Sequence, residues 1–410
     1  MVTVSDLAGP SADTIMLELV QAFHELAPED LPELLRRHYS ALGITGLTAY
    51  CADLRQEYLI ALPGSQGISA QRLPIDSSLA GWAYRTVSVR IAEGDARALT
   101  LWLPVVEGVE RIGVLGVQVP SLDAAILNRC RALASLIAFV LISKGTHSDS
   151  YANLQRRQPM ELAAEMVWAF LPPKSIGTPY VTSSAILEPA YNLGGDAFDH
   201  ALMGDALHAA VIDAMGHDLY AGLTSSVALA ACRNARRSKG ELPSIISTMD
   251  TTVHEAFPDR YATGVFTHLQ RTTGQLDWAN CGHPPPILLR RHDVIPGAFD
   301  SPPELPLGLG PAHPDIRRHI HSTQLEPGDR VLCYTDGVTE ARSSDGEAFG
   351  EERFVNFILR ATAAGEPAFE VLRRLVHAIL DHQQHRLTDD ATVLLLEWHP
   401  AGGPTLASGM

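Results

Sequence analysis

The chain has 410 residues, of which 46% are hydrophobic and 19% are charged, and its formal net charge is −16. This length predicts two or three domains, and the composition predicts folded cores and excludes a chain that is disordered throughout. So acidic a chain lacks the basic surface that non-specific nucleic-acid binding needs, and we expect no nucleic-acid partner.

The cysteines and the apolar runs indicate the compartment. The five cysteines are scattered and include no CxxC pair, so neither a disulfide framework nor a zinc knuckle is expected. The first residues do not have the pattern of a secretory signal, and no uninterrupted apolar run reaches the roughly 18 residues of a membrane span. The longest candidate, 132–143, has about the length of a core helix. We therefore expect a soluble, cytoplasmic protein without a membrane partner.

Residues 13–145 predict an α+β domain. The apolar spacing over 13–42 indicates helix, interrupted by Pro28-Glu29-Asp30. A final helix is predicted from about 120 to 144. Between the helices, short strands are predicted at 46–51, 57–62, 87–91, 99–106 and 111–119. Helix, antiparallel strands and helix in this order favour one α+β layer structure.

The segment at 151–173 is predicted to be a linker helix. After a polar stretch at 145–150, the apolar positions over 152–170 indicate one amphipathic helix, which Leu171-Pro172-Pro173-Lys174 ends. Such a helix could pass a signal between two domains, or it could pack only on its own domain. The sequence leaves both interpretations open.

Residues 174–398 predict a second α+β domain. Runs of strands alternate with pairs of helices, which favours a largely antiparallel sandwich with helical layers. The helices are predicted at 220–237, 242–257, 352–363 and 368–382. The strands are predicted at 181–187, 200–202, 207–212, 263–270, 275–280, 287–290, 316–321, 330–334 and 391–397.

Four short acidic motifs lie in this second domain, each at the expected end of a strand. Carboxylates at strand ends can converge on one edge of a fold, where without cationic partners they repel one another. A hard divalent cation such as Mg²⁺ or Mn²⁺ prefers such oxygen ligands. Each motif alone also fits a turn or a helix cap, and only the set of four favours a metal site. The motifs are Gly194-Gly195-Asp196, Asp213-Ala214-Met215-Gly216-His217, Thr335-Asp336-Gly337 and Asp389-Asp390-Ala391-Thr392.

In this order the motifs resemble those of the metal-dependent protein phosphatases of the PPM (type-2C) superfamily, above all its bacterial SpoIIE/RsbU branch. The resemblance covers roughly 160–398 and extends to Asn280-Cys281-Gly282-His283-Pro284-Pro285-Pro286 and Leu305-Pro306-Leu307-Gly308-Leu309. It implies an αββα sandwich with two Mn²⁺ or Mg²⁺ ions at one edge. It further implies that Asp213 bridges the ions and that Asp390 ranks below Asp389. The implied catalytic and metal-binding residues are Asp196, Asp213, Asp336 and Asp389, with the backbone carbonyl of Ala214 as a further metal ligand.

His217, the last residue of the second motif, and Asp218, which follows it, each allow a further interpretation. The family often has glycine where this chain has Asp218, and an acid there would alter the local field. His217 is a candidate to protonate the leaving group by its position, and a structural histidine that caps the turn is an equal alternative.

The N-terminal domain resembles, more loosely, a GAF sensor domain. The resemblance is carried by segments 79–84, 101–105 and 112–115. It implies a small-molecule or protein signal, and dimerisation. Trp82, Tyr84 and Trp102 could line a ligand pocket, although aromatic residues of a core are the more common case. Separately, His319 and His321 could bind zinc, but no third ligand is evident, which favours a solvent-facing strand.

Together these features predict a GAF-regulated, Mn²⁺- or Mg²⁺-dependent serine/threonine phosphatase that acts as a homodimer. The resemblance implies that its substrate is a phosphorylated STAS-type anti-sigma-factor antagonist in a bacterial partner-switching pathway. The alternative is a weak or inactive phosphatase fold that binds a phosphoprotein as a scaffold. The presence of all four aspartates argues against that alternative.

Overall fold

The computed structural model describes residues 12–63, 71–93, 98–192, 194–302, 304–313, 315, 318–384 and 389–399. The chain folds into two compact units, one extending through Gln158 and the other beginning at Pro159.

The first unit is an antiparallel sheet with helices on both faces. Its sheet has the strand order β3-β2-β1-β6-β5-β4. Apolar residues of α1, α2 and α4 form the core on one face, and α3 packs on the other. The helices are α1 (Ala12–Glu25), α2 (Leu31–His38), α3 (Leu79–Thr86), α4 (Ala124–Gly145) and α5 (Asp149–Gln155); the strands are β1 (Gly46–Ala52), β2 (Tyr58–Ala61), β3 (Arg72–Pro74), β4 (Arg90–Glu93), β5 (Leu99–Glu107) and β6 (Glu110–Val119).

Helix α4 is long and apolar enough to cross a membrane, judged by length and composition alone. One side of the helix, including Cys130, Leu133 and Ile137, is buried in the core of the first unit. The core helix of a soluble protein passes the same test, so a single such helix is weak evidence for a membrane span.

The single helix predicted over 152–170 is wrong. Helix α5 ends at Gln155, and α6 (Leu162–Phe170) begins in the second unit. Arg156 has the extended angles φ −86° and ψ 133°, and Pro159 disfavours helical angles at the residue before it. Residues 155–159 are Gln-Arg-Arg-Gln-Pro, so the apolar positions on the two sides of the break belong to two separate helices.

The second unit is a sandwich of two antiparallel sheets. One sheet has the order β15-β12-β11-β10-β9 and the other the order β14-β13-β16-β17-β8-β7. Its helices are α6, α7 (Leu219–Arg237), α8 (Leu242–Ala256), α9 (Asp336–Thr339), α10 (Glu351–Ala363) and α11 (Ala368–His382); its strands are β7 (Ser175–Gly177), β8 (Val181–Glu188), β9 (Asp196–Met203), β10 (Ala206–Ala214), β11 (Ala262–Gln270), β12 (Gln275–Cys281), β13 (Ile287–Arg290), β14 (Asp293–Val294), β15 (His321–Gln324), β16 (Arg330–Tyr334) and β17 (Ala391–Trp398).

Two helical layers cover the sandwich. Helices α7 and α8 pack on the sheet that contains β9, β10 and β11, and α11 packs on β8 and β17 of the other sheet. Apolar side chains fill both outer interfaces and the space between the sheets. The second unit therefore has the four layers α, β, β and α that the family resemblance implied.

Three strand predictions differ from the structure. The strand predicted at 200–202 is the last part of β9, which begins four residues earlier at Asp196. The strand predicted at 316–321 is instead β15, which begins at His321, where His321 pairs with Trp278; residues 316 and 317 lie outside the described residues. The strand predicted at 87–91 begins too early, because Val87 has φ 46° and ends α3 in a left-handed cap. Its strand, β4, starts at Arg90.

Candidate metal centre

The acidic edge begins with a pair of neighbouring strands. Asp196 is the first residue of β9, and Asp213 is the last but one of β10. The two residues are direct partners in the antiparallel register. Directly opposed residues point to the same face of a sheet, so the start of one strand and the end of the next bring the two carboxyl groups together.

The second sheet reaches the same edge through two threonines. The hydroxyl groups of Thr335 and Thr392 both donate to Oδ2 of Asp196, each at 2.7 Å. All three residues are buried. These bonds fix one oxygen of Asp196 and thereby the orientation of its carboxylate. Both threonines lie within the acidic motifs, but no local feature of the sequence indicates this role.

The two adjacent aspartates before β17 have different surroundings. Asp390 is buried, and its carboxylate accepts hydrogen bonds from the backbone N–H groups of Gly194, at 2.7 and 3.0 Å, and of Asp196, at 3.1 Å. Asp389 is exposed, and its Oδ1 accepts only the N–H of Asp390 among described residues. Asp390 therefore holds the Gly-Gly-Asp backbone in place, which agrees with its rank below Asp389 as a ligand.

Asp336 completes the set from the end of β16. It is the first residue of the short helix α9 and is half-buried. Burial, followed by the nearby charges of Asp389 and Glu340, raises its pKa. The structure thus brings Asp196, Asp213, Asp336 and Asp389 to one edge, as the motifs predicted. The sequence placed Asp389 at the start of the last strand, which agrees with its position just before β17. It placed Asp196 at the end of a strand, whereas Asp196 is the first residue of β9.

Burial has the largest effect on the pKa values of Asp196 and Asp213, and repulsion between neighbouring carboxylates raises these values further. Burial, then the charges of Asp336, Asp389 and Asp390, raises the pKa of Asp213 to about 7. Burial also raises the pKa of Asp390 to about 6. The pKa of Asp196 lies well above its usual value, because of burial and then the charges of Asp213 and Asp390. In the part of the chain that the structure describes, none of these carboxylates forms a salt bridge.

The donor set fits a hydrated divalent cation. Among the described residues, no three His, Cys, Asp or Glu side chains already surround one point as a metal site does. Mg²⁺ keeps several waters and takes only one or two protein carboxylates, so it does not need such a cage. An edge with only oxygen donors, excess negative charge and raised pKa values suits this mode of binding. Asp213, which is electrostatically coupled to Asp336, Asp389 and Asp390, is the central member.

Close backbone packing surrounds Ala214. The N–H of Ala214 donates to the carbonyl of Gly195 at 3.1 Å. A Cβ atom on Gly195 would lie 2.2 Å from the carbonyl oxygen of Ala214, so only glycine fits there. From the other side, the hydroxyl of Ser225 on α7 donates to the carbonyl of Gly195. Ser225 lies within α7, and no local sequence signal distinguishes it from an ordinary helix serine.

Asp218 and His217 follow the edge and have different settings. Asp218 is the N-cap of α7 and accepts the N–H of Ala221 at 2.9 Å. It also forms a bidentate ion pair with Arg260, at 2.8 and 3.0 Å. This partner offsets the extra negative charge that the sequence raised as a concern. His217 is exposed, and its backbone packs against Gly194.

The weaker candidate residues have structural surroundings. Tyr84 is buried, and its hydroxyl donates to Gln56 at 3.0 Å, while Trp102 packs on Tyr50. Trp82 is 45% exposed. These three aromatic residues therefore do not share one environment.

The histidine pair at 319 and 321 has an acidic neighbour. Oε1 of Glu304 lies 3.4 Å from Nδ1 of His319 and 3.9 Å from Nε2 of His321. Only His321 belongs to a strand, so the expectation of one strand carrying both histidines is wrong.

The second unit is similar in sequence to known proteins. Residues 203–399 match the family model of stage II sporulation protein E (SpoIIE). Protein IcfG of Synechocystis is 25% identical over 243 residues, which are 52% of this chain and 37% of that protein. Phosphoserine phosphatase RsbU of Bacillus subtilis is 22% identical over 241 residues, which are 58% of this chain and 70% of that protein. The solved RsbU and RsbW domains of Rv1364c from Mycobacterium tuberculosis are 23% identical, with a TM-score of 0.47, covering 54% of this chain and 62% of that one.

The family match includes Asp213, Asp336 and Asp389, and it begins just after Asp196. The chain spans little more than a third of the length of IcfG. Residues 203–399 are thus similar to the SpoIIE family, and the acidic edge of the sandwich is the candidate metal centre.

Proposed function

We propose that the chain is a divalent-metal-dependent serine/threonine protein phosphatase, and that Asp196, Asp213, Asp336, Asp389 and the carbonyl of Ala214 hold the metal. The observation that carries the proposal is the meeting of these aspartates at one sheet edge without a cationic partner among the described residues. The name of the relative RsbU, a phosphoserine phosphatase, supports the same activity.

Two Mn²⁺ or Mg²⁺ ions bound here would supply a water of lowered pKa and would neutralise the phosphoryl oxygens. The protein supplies orientation. The hydroxyls of Thr335 and Thr392 hold one oxygen of Asp196 and leave the other free to bind. Asp390 fixes the Gly-Gly backbone beside it. Because Asp389 is exposed, its carboxylate is accessible from the side on which the substrate would bind.

A bound cation would also stabilise this edge, because it would offset the repulsion between the carboxylates. Carboxyl groups with raised pKa values carry protons near neutral pH, and binding a divalent cation requires these protons to leave. Metal affinity should therefore rise with pH through the range in which Asp213 and Asp390 titrate, about 6 to 7.

For the substrate we propose a phosphorylated STAS-type anti-sigma-factor antagonist, and for the first unit a GAF-like sensor role. The name of RsbU supports a phosphoserine substrate. The six-stranded antiparallel sheet with helices on both faces supports the second idea. A cytoplasmic homodimer with domains at 13–145 and 174–398, joined through 151–173, completes the proposal.

Hydrolysis of p-nitrophenyl phosphate with Mn²⁺ tests the activity. We expect turnover in the full chain that depends on Mn²⁺ and is lost in Asp213→Ala and Asp336→Ala. Asp293→Ala is a matched control, because Asp293 is an exposed aspartate on β14. A full chain that binds Mn²⁺ and a phosphoprotein but turns over nothing would instead establish the scaffold alternative. Equal rates in all the variants would refute metal catalysis at this edge.

A further inference from the structure

The motif at 280–286 lies at the end of β12 and has no role in the metal centre described above. The side chain of Asn280 encloses the backbone of His283 there. Its Oδ1 accepts the N–H of His283 at 2.7 Å, and its Nδ2 donates to the carbonyl of His283, also at 2.7 Å. Both residues are buried. These two bonds fix the backbone of the turn and so the direction in which the imidazole leaves it.

One ring nitrogen of His283 contacts a residue of β11 that lies in register with Asp213 and Asp196. Its Nδ1 lies 2.8 Å from Oγ1 of Thr263. Thr263 is the direct partner of Asp213 in the β10–β11 register, and Asp213 is the partner of Asp196. The imidazole is therefore held by β11, which belongs to the same sheet as β9 and β10, the strands that carry Asp196 and Asp213.

The other ring nitrogen faces the second sheet. The Nε2 atom of His283 is buried and has no hydrogen-bond partner among the described residues, and the backbone of Tyr334 lies near the imidazole. Tyr334 is the last residue of β16, directly before Thr335 and Asp336. Burial lowers the pKa of His283 to about 4, so at neutral pH the ring is uncharged and has one donor and one acceptor nitrogen.

We propose that His283 is a positioning residue, which spaces the end of β16 from β11 and thereby sets the separation of Asp336 from Asp213. The inference rests on the proposed metal site and adds a residue that touches neither metal nor substrate. The hydrogen bonds to Thr263 and Asn280 fix the imidazole between β11 and the end of β16 more restrictively than apolar packing would, because each of these bonds has a required direction.

Isothermal titration of the metal-free full chain with Mn²⁺ tests this proposal without relying on catalysis. Thr263→Val removes the hydroxyl at nearly constant shape, and Thr263→Ser keeps it. We expect Thr263→Val to weaken Mn²⁺ binding about tenfold, the lower end of the usual effect of outer-shell partners. Thr263→Ser should bind within about twofold of the wild type. The double variant Thr263→Val/His283→Ala should be no weaker than His283→Ala alone, because the two groups act as one contact.

Thermal unfolding without metal accompanies each titration as a check of folding. If His283→Ala does not fold, the Thr263→Val and Thr263→Ser pair decides the matter. Wild-type affinity in Thr263→Val, or an equal loss in Thr263→Ser, would overturn the positioning role while leaving the proposed phosphatase activity intact. Absence of Mn²⁺ binding by the wild type would overturn both. Mn²⁺ binding without hydrolysis would overturn only the phosphatase, and the affinities would still decide the role of His283.

Discussion

Asp213→Asn should stabilise the metal-free protein at pH 8 and abolish its stabilisation by Mn²⁺. Burial and three neighbouring carboxylates raise the pKa of Asp213 from 3.8 to about 7, and a shift of about three pH units corresponds to about 4 kcal/mol. Much of this penalty is shared with neighbours that remain, so we expect the substitution to recover about 1 to 2 kcal/mol. For a domain of this size that is an increase in Tm of about 3 to 6 °C.

Differential scanning fluorimetry in EDTA at pH 8 measures the effect. Asp293→Asn removes the same charge from an exposed position on β14 and should leave Tm within about 1 °C. Addition of Mn²⁺ should raise the Tm of the wild type and of Asp293→Asn, and should not change that of Asp213→Asn, which has lost the central ligand. A lower Tm for metal-free Asp213→Asn than for the wild type would refute the argument from repulsion.

Three further predictions follow from the same edge. Because the folded-state pKa values of Asp213 and Asp390 lie above that of an unfolded aspartate, the native state binds more protons, so the free energy of unfolding of the metal-free protein should fall as pH rises from about 4 to about 7; a flat or rising Tm over this range would contradict it. Thr392→Val, which removes one of the two hydroxyl bonds to Asp196, should reduce Mn²⁺-dependent activity about 10- to 100-fold, with Thr392→Ser close to the wild type; equal losses in the two variants would assign the effect to packing. Gly337→Ala should destabilise the second unit by more than about 3 kcal/mol, because its Cβ would lie 1.8 Å from the backbone oxygen of Asp390; an unchanged midpoint in urea denaturation would show that the chain relieves this overlap.

The elements with a clear period were predictable from the sequence, and so was the convergence of the four aspartates. Strands such as β10 and β17, and helices such as α7 and α11, lie within one to three residues of their predicted limits. Short elements could not be found in this way. β3 and β7 have three residues each and α9 has four, which is shorter than the stretch over which strand alternation or a helical period can be recognised.

The partners of the aspartates were beyond local reasoning. Ser225 lies 30 residues from Gly195, and Thr392 lies 196 residues from Asp196. Nothing in the local sequence marks a serine or threonine as the one that reaches a given carboxylate, because the contact exists only after the two sheets have packed. The break between α5 and α6, by contrast, is marked in the local sequence, because residues 155–159 are Gln-Arg-Arg-Gln-Pro and interrupt the apolar pattern.

The two hydroxyl bonds that end on Asp196 cross from one sheet of the sandwich to the other. The acidic edge is therefore also a place where hydrogen bonds join the two sheets. If the sheets part there by even an ångström, the aspartates of the first sheet separate from those of the second before any of them has changed conformation. The proposed activity would then require the two sheets to stay in contact at this edge. A change in the core that replaces none of the aspartates would still abolish that activity if it separated the sheets.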